Sequence, residues 1–287
     1  MLAWANRMKP AFDRSTLPYW EARAQRWNVS QPISPGPEDL RFYEACAARH
    51  VPDDGSDLTA LLLGVTPSIA QMRWPGPTRL VALDWSRGMF DNVWPREHVP
   101  AGSAGVRGDW RAMPLADASV DFTAGDGCYS TFRDLEGPAL LNREVHRVLR
   151  PGGEFCLRCH RRPDVPHSVD RVFEWLHAGR FHNLDLFRWM LAMAVHGDSA
   201  DGVSLRRVWE TWHSRVPDAK ALAARFGWSA DALANMDAWE RLESRYFFPT
   251  LDELGDLARP HFDIELCDIP RYEWGEHFPR LLMRRED

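Results

Sequence analysis

Apolar residues follow two different patterns along this chain, and the change of pattern divides it into segments. From residue 58 onward, short apolar runs alternate with helical or turn-rich stretches and are bounded by Gly, Pro or Asp. Such runs predict buried strands. In the first half of the chain they are LTALLLGV (58–65), RLVALD (79–84), SAGVRGD (103–109), VDFTAG (120–125) and GEFCLRC (153–159). Strands spaced in this way predict a parallel sheet and an α/β fold.

The chain between and after these runs supports the same interpretation. Apolar residues recur with helical spacing between Leu141 and Leu149, and PGG at 151–153 ends this crossover helix. Near the end of the chain, HFDIELCDI (261–269) and FPRLLMRR (278–285) predict two further strands. Because their connection is short, they can pair only antiparallel. The predicted sheet is therefore doubly wound and mostly parallel, with an antiparallel final strand.

Two parts of the chain are predicted to be helical. Residues 1–55 carry helical stretches at Tyr19–Trp27 and Glu38–Arg49, which predict an N-terminal helical arm. Residues 161–250 have no strand-like run, and their helical runs predict an inserted cap: Val172–His177, Leu184–Val195, Leu205–His213, Ala219–Phe226 and Asp231–Leu242. The expected organisation is an arm (1–55), a core (56–160), a cap (161–250) and a return to the core with the final two strands (251–287).

Small, acidic or aromatic residues follow the predicted strands. They are Gly64 after the first, Asp84 at the end of the second, Asp109 and Trp110 after the third, and Asp126 and Gly127 after the fourth. Ligands of open α/β sheets bind beyond the carboxyl ends of the strands, so these loops are expected to converge on one crevice. A carboxylate can accept hydrogen bonds from both hydroxyls of a ribose. We therefore expect Asp84 to bind ribose, with a helix N-cap role as the alternative.

This ordered set of motifs resembles that of the class I S-adenosylmethionine-dependent methyltransferases, especially the small-molecule group with a ubiquinone-biosynthesis-like core. The resemblance covers residues 56–160 and 250–287 and includes GDW at 108–110, followed by MPLADASVDF, and VLRPGG at 148–153. It implies a Rossmann-like fold and S-adenosyl-L-methionine as cofactor. The cofactor-binding residues that it implies are Gly64, Thr66, Asp84, Trp85, Asp109, Trp110, Asp126 and Gly127.

The glycine-rich turn departs from the family pattern. The family has an acid two residues before its first glycine and then glycine at every second position, whereas this chain has Leu62, Gly64, Thr66 and Ser68. Thr66 and Ser68 are small and can donate hydrogen bonds, and Asp126 or the arm can replace the missing acid. Two alternatives to methyl transfer stay open: a non-catalytic or regulatory protein that keeps the fold, and a cofactor-assisted reaction that transfers no methyl group.

Two candidate catalytic residues lie next to the predicted crevice. His160 follows the fifth strand and can serve as a general base or bind an anion. Tyr129 lies in the loop after the fourth strand, where it can contact the substrate. Structural roles are the alternatives for both residues. A dedicated base is optional, because the cofactor's sulfonium already activates its methyl group.

The sequence CLRCH at 156–160 matches the spacing of c-type haem attachment and of some zinc and redox sites. Side chains alternate between the two faces of a strand, so Cys156 and Cys159 point to opposite sides if the strand runs through both. We therefore expect no metal site here. Five cysteines in a chain of 287 residues fit reduced thiols better than a disulfide framework.

Composition and charge narrow the choice of partners. The formal net charge is −6, which argues against nucleic acid or an anionic membrane as partner. No apolar stretch approaches 18 residues and the first 15 residues lack a secretory pattern, so we predict a cytoplasmic protein. The aromatic-rich cap favours an aromatic or apolar small-molecule acceptor bound beneath it, although a cap face can equally form a homodimer. Trp20 and Trp27 either line the pocket or pack the arm onto the core.

Overall fold

A computed structural model describes residues 16–286, so the first part of the predicted arm, residues 1–15, and Asp287 lie outside the described residues. The strands are β1 Leu58–Leu63, β2 Thr78–Asp84, β3 Ala104–Arg107, β4 Val120–Asp126, β5 Leu149–Arg158, β6 Val203–Ser204, β7 Arg245–Tyr246, β8 Asp263–Asp268 and β9 Arg280–Arg284. The α-helices are α1 Leu17–Ala24, α2 Pro37–Ala47, α3 Pro67–Ala70, α4 Arg87–Asn92, α5 Glu136–Val148, α6 Val169–His177, α7 Leu184–His196, α8 Leu205–Arg215, α9 Ala219–Phe226, α10 Ala230–Asp237 and α11 Leu251–Ala258.

The main sheet within these residues has the strand order β3-β2-β1-β4-β5-β9-β8. Strands β1 to β5 run parallel to one another, and β9 runs antiparallel to both β5 and β8. The predicted α/β fold, a doubly wound and mostly parallel sheet with an antiparallel final strand, is confirmed. Leu63 of β1 is level with Leu83 of β2 and Gly125 of β4. The loops after these strands therefore leave the sheet at the same edge.

The sequence SAGVRGD was predicted to form a buried strand, and the prediction of burial is wrong. Strand β3 forms at this place, but three of its four residues are exposed. The reason is its position, because β3 lies at the margin of the sheet and pairs only with β2. Gly and Val fit an edge strand as well as a buried one, so the local pattern could not distinguish the two.

Helix α5 illustrates how the apolar spacing is used. Its buried residues include Leu141, Val145 and Val148, which pack with Leu149 and Phe155 on one face of the sheet. A second apolar cluster, around Tyr43 of α2, covers the opposite face. The helix ends at Val148, before Leu149 and before the PGG sequence that was predicted to end it. Strand β5 begins at the next residue and includes the PGG sequence.

Helices α6 to α10 form in the region that was predicted to be a cap. They share an apolar cluster that includes Phe187, Trp189, Trp212 and Trp239. Two details differ from the prediction: α10 ends at Asp237, and the two-residue strands β6 and β7 pair antiparallel in a segment expected to contain no strand. The division into arm, core, cap and return stays a prediction. Between residues 16 and 286, no helix is both long and apolar enough to cross a membrane.

Candidate active site

A cavity of about 450 Å³ lies at the carboxyl ends of β1, β2 and β4. Its wall combines the loops that follow these strands with α1, the start of α5 and one residue of β7. The lining residues are Thr16, Trp20, Trp27, Leu63, Gly64, Val65, Thr66, Asp84, Trp85, Met89, Gly108, Asp109, Trp110, Arg111, Asp126, Thr131, Phe132, Arg133, Asp134, Glu136, Gly137, Leu140 and Arg245. Seven of the eight predicted cofactor-binding residues line this cavity, and Gly127 does not.

Gly64 lies on the floor of the cavity directly after β1. Its φ of 84° belongs to the region that favours glycine. A Cβ added here would lie 3.2 Å from Cζ2 of Trp110 and 3.7 Å from Oδ2 of Asp84. The Trp110 indole is itself fixed, because its Nε1 donates to the Leu83 carbonyl at 2.6 Å. The glycine therefore leaves open the space between the Trp110 ring and the Asp84 carboxylate.

Asp84 ends β2 and is only 8% exposed. Its Oδ1 accepts the backbone N–H of Ser86 at 2.8 Å, and the described residues give its Oδ2 no hydrogen bond. Burial, together with the negative charge of Glu21, raises the pKa of this carboxyl to about 7. Ser86 is also the N-cap of α4, since its Oγ accepts the Met89 N–H. The N-cap of α4 is therefore Ser86 and not Asp84. Oδ2 of Asp84 is left available to a ligand.

Asp109 and Arg111 form a close ion pair on the cavity wall. Oδ1 of Asp109 accepts the backbone N–H and Nε–H of Arg111, both at 2.9 Å, and Oδ2 accepts Nη2–H at 2.8 Å. The Arg111 guanidinium also lies 5.8 Å from the ring centroid of Phe132. A carboxylate offers about four lone-pair positions, so Oδ2 can still accept a hydrogen bond from a ligand.

Asp126 lies where β4 opens into the cavity and is held by a buried cation. Its Oδ1 accepts Nε–H of Arg158 at 2.7 Å, and Arg158 also lies 3.7 Å from Asp39. Burial raises the pKa of Asp126, although Arg158 opposes the shift. Burial lowers the pKa of Arg158, but Asp126 and Asp39 together outweigh it and leave that pKa raised. The ion pair therefore fixes the orientation of Asp126 at the cavity.

Gly127 and His160 lie against each other, and neither is among the residues that line the cavity. Gly127 has a φ of 61°, and a Cβ here would lie 2.6 Å from Cε1 of His160. Nδ1 of His160 accepts the Trp189 indole N–H at 3.0 Å. Burial and the charge of Arg158 keep the His160 pKa well below its usual value. His160 thus lies among aromatic rings in a setting that disfavours its protonated form, and its predicted catalytic role stays a prediction.

Tyr129 is also outside the cavity lining. Its hydroxyl donates to Oδ1 of Asn142 at 2.6 Å, and Nδ2 of Asn142 donates to the Leu257 carbonyl at 2.8 Å. The side chain is 1% exposed, and burial raises the pKa of its hydroxyl well above the usual value. These contacts join the loop after β4 to α5 and α11. A role for Tyr129 at the substrate stays a prediction.

Several lining residues were not singled out in the sequence. Arg111, Phe132, Arg133 and Arg245 come from loops and from β7, and no motif identifies them. Trp20 and Trp27 were expected either in the pocket or as packing residues, and both line the cavity.

The CLRCH sequence provides no ligand cluster. Cys156 and Cys159 belong to apolar clusters on different faces of the sheet, as expected, and both are free thiols. Among residues 16–286, no group of three or more His, Cys, Asp or Glu side chains is placed to hold a metal ion.

The fold and the cavity define a candidate ligand site at the carboxyl ends of a Rossmann-like sheet. Residues 63–157 match the family model described as a methyltransferase domain. This match and the relatives below support an S-adenosylmethionine-dependent methyltransferase that uses S-adenosylmethionine as its cofactor.

Relatives and solved structures agree with this assignment. A malonyl-[acyl-carrier protein] O-methyltransferase of Dechloromonas aromatica is 28% identical over 224 residues, which are 75% of this chain and 73% of that protein. A second, from Xylella fastidiosa, is 36% identical over 81 residues, covering 28% of this chain and 26% of that protein. The N-methyltransferase NodS from Bradyrhizobium japonicum, solved with S-adenosyl-L-homocysteine, shares the fold with a TM-score of 0.53 and 9% identity, covering 96% of this chain and 100% of that chain.

The residues of the cavity fit this cofactor. Gly64 keeps open a space that a Cβ would fill, and Asp84 presents a carboxylate oxygen to the same space. Vicinal ribose hydroxyls are donors that suit such an oxygen. Aromatic rings and carboxylates at the other walls match the purine and the cationic methionine end of the cofactor.

Proposed function

We propose that this protein transfers the methyl group of S-adenosylmethionine to a small-molecule acceptor bound beside the cofactor and under a helical lid. The observation that carries the proposal is that Gly64, Asp84 and Asp126, which come from three different strand ends, line one cavity. This is the convergence that a nucleotide-containing cofactor requires of an open α/β sheet.

Each wall has a proposed task. Asp84 accepts hydrogen bonds from the ribose, Asp109 accepts one from the adenine amino group, and the Trp110 ring lies against the purine. Asp126 is held in place by Arg158 and binds the amino group of the methionine part. In the family pattern an acid at the position of Leu62 binds this group. Thr66 and Trp85 complete the cofactor's surroundings, and Gly127 supports the loop from below.

The cofactor supplies an activated methyl group, so the chain's own contribution is to align the acceptor and to exclude water. The aromatic side chains of Trp20, Trp27 and Phe132 provide apolar wall for that purpose.

A second, more specific candidate is O-methylation of an acceptor carboxylate, which needs no base. The Arg245 side chain lines the cavity and is oriented by backbone carbonyls: Nε–H donates to Asp201 O at 2.6 Å and Nη2–H to Gly202 O at 2.9 Å. Among residues 16–286, no carboxylate lies within ion-pair distance of it. Such a cation suits an anionic acceptor, and the curated relatives named above act on a malonyl group.

Calorimetric titration with S-adenosylhomocysteine tests the cofactor site first. We expect one site per chain, with affinity lost in Asp84→Ala. No binding by the wild-type chain would support the non-catalytic alternative, and unchanged binding by Asp84→Ala would exclude the proposed ribose contact.

Transfer of a radiolabelled methyl group then tests the acceptor. A panel of neutral aromatic amines and phenols is compared with malonyl thioesters, using wild type, Arg245→Gln and the exposed control Arg241→Gln. If the acceptor is a carboxylate, the malonyl compounds should become labelled. Arg245→Gln should reduce this labelling, and Arg241→Gln should leave it unchanged. Label on the neutral compounds alone would exclude the carboxylate candidate and leave small-molecule methylation standing.

A further inference from the structure

Helix α1 forms one wall of the cavity. Thr16 immediately before the helix, Trp20 within it and Trp27 just after it all line the cavity. On its other side, the hydroxyl of Tyr19 accepts the indole N–H of Trp239 at 3.4 Å. The helix therefore lies between the cavity and the α6–α10 region, and a ligand that fills the cavity is in contact with it.

The carboxylate of Glu21 joins α1 to the N-cap and the first turn of α4, directly after β2. Oε1 accepts the hydroxyl of Ser86 at 3.0 Å, and Oε2 accepts the backbone N–H of Gly88 at 2.8 Å. Ser86 in turn donates its backbone N–H to Asp84. One side chain of α1 is thus connected through two short hydrogen bonds to the segment that presents Asp84 to the cavity.

Gly88 makes this connection possible. A Cβ added at Gly88 would lie 2.5 Å from Oε2 of Glu21, whereas its next neighbours, Ala24 Cβ and Glu21 Cα, would be at 3.4 Å. The severe overlap is with the end of a flexible side chain, so Gly88→Ala displaces the carboxylate with little effect elsewhere. Apolar packing of Ala24 against Met89 and Val93 still holds α1 near α4 when the carboxylate is displaced.

We propose that Glu21 is a positioning residue that fastens α1 over the cavity through Ser86 and Gly88, and that it thereby sets the residence time of the cofactor. This inference rests on the proposed function, because it takes the cavity to hold S-adenosylmethionine. Closure of an element over a ligand commonly controls release. Here α1 is fastened to the segment that directly follows the ribose-binding Asp84. Loosening α1 therefore exposes Asp84 and its ligand.

Stopped-flow dissociation of S-adenosylhomocysteine, followed by tryptophan fluorescence, measures the effect directly. Hydrogen bonds to a charged group contribute roughly ten- to a hundredfold in an equilibrium constant, so we expect Glu21→Gln to release the ligand at least about tenfold faster. Gly88→Ala should do the same without altering Glu21. The double variant should be no faster than either single one, because both remove the same contact.

Glu44→Gln is the matched control. Glu44 lies on α2 and accepts the backbone N–H of Arg73 at 2.9 Å, so it also joins a helix to a loop of the core, but it does not line the cavity. We expect it to leave the dissociation rate unchanged. Thermal unfolding of every variant separates loss of the fastening from general loss of stability.

These experiments distinguish failure of the fastening role of Glu21 from failure of the proposed function. Failure of the wild-type chain to bind S-adenosylhomocysteine would overturn the proposed function. Wild-type binding with unchanged dissociation in both Glu21→Gln and Gly88→Ala would overturn the fastening role alone. A third outcome is that Glu21→Gln, Gly88→Ala and the control Glu44→Gln all release S-adenosylhomocysteine faster, each in proportion to its lowered melting temperature. The role of Glu21 would then be merely structural.

Discussion

The raised pKa of Asp84 predicts that cofactor affinity depends on pH between about 5 and 8. Burial and the nearby charge of Glu21 raise this pKa from 3.8 to about 7 in the free protein. Ribose hydroxyls donate hydrogen bonds, and an ionised carboxylate accepts these bonds better than a protonated carboxyl does. Binding therefore favours the ionised form and should release a proton when it occurs below pH 7.

The size of the effect follows from linkage. If the bound cofactor restores an ordinary carboxyl pKa, each pH unit below about 7 weakens binding about tenfold, or about 1.4 kcal/mol. Affinity should then be nearly constant above pH 8, about tenfold weaker at pH 6 and about a hundredfold weaker at pH 5. Protonation of Asp84 is the cause, so the loss occurs on acidification and never on raising the pH.

Calorimetric titration with S-adenosylhomocysteine between pH 5 and 8, in buffers of different ionisation enthalpy, measures both affinity and proton release. Asp84→Asn should bind weakly and show neither effect. Glu21→Gln should move the inflection to lower pH, because it removes the charge that disfavours ionisation. Equal pH dependence in wild type and Asp84→Asn would refute the reasoning, as would a wild-type affinity that is constant over this range.

The same carboxyl also makes the free protein less stable as the pH rises. Its pKa is higher in the folded chain than in the unfolded one, so its favourable contribution is complete below about pH 4 and is lost by about pH 7. The full shift corresponds to about 4 kcal/mol as an upper bound. Urea unfolding should find Asp84→Asn more stable than the wild type at pH 8, with the difference vanishing near pH 4.

Three further substitutions separate site residues from structural ones. Gly64→Ala should cost about 1–2 kcal/mol in urea unfolding, because alanine is strained at positive φ, and should weaken cofactor binding since its Cβ meets Trp110; full affinity would show that the space is not used. Arg158→Met should cost about 3–5 kcal/mol, because it leaves Asp126 buried without its cation, and a loss below about 1 kcal/mol would contradict this account. Tyr129→Phe should lose about 1 kcal/mol of stability and keep kcat/KM; a fall of about a hundredfold or more in kcat/KM would instead support the predicted catalytic role.

The sheet and the strand ends were predictable because their signals are local. Each strand is a short apolar run, and Asp84 and Asp109 end two of these runs in the order that the family resemblance requires. Exposure of β3 was not predictable, because it depends on the place of the strand in the sheet. The orientation of Tyr129 was equally hidden, since its partner Asn142 is reached only after a turn and the start of α5.

Contacts between distant segments could not be predicted from the sequence. Glu21 meets Gly88 across 67 positions, and nothing in the residues around either one marks the pair. Arg245 reaches the cavity from a strand of two residues, too short to leave a pattern. Both belong to walls that fold over the sheet, and their positions depend on how helices pack onto it. The floor of the cavity was accordingly more predictable from the sequence than its cover.

The reduced glycine turn shows why the departure from the family pattern is compatible with the same backbone. Gly64 alone has a positive φ, whereas Thr66 has a φ of −111° and a ψ of 99°, an extended conformation that any residue adopts. Pro67 occupies the first position of α3, where its missing N–H costs nothing, and Ser68 is helical. Glycine is therefore needed for backbone conformation only at Gly64. At Thr66 the loss of glycine leaves the turn intact and adds a side chain to the cavity floor, which changes the surface presented to the ligand.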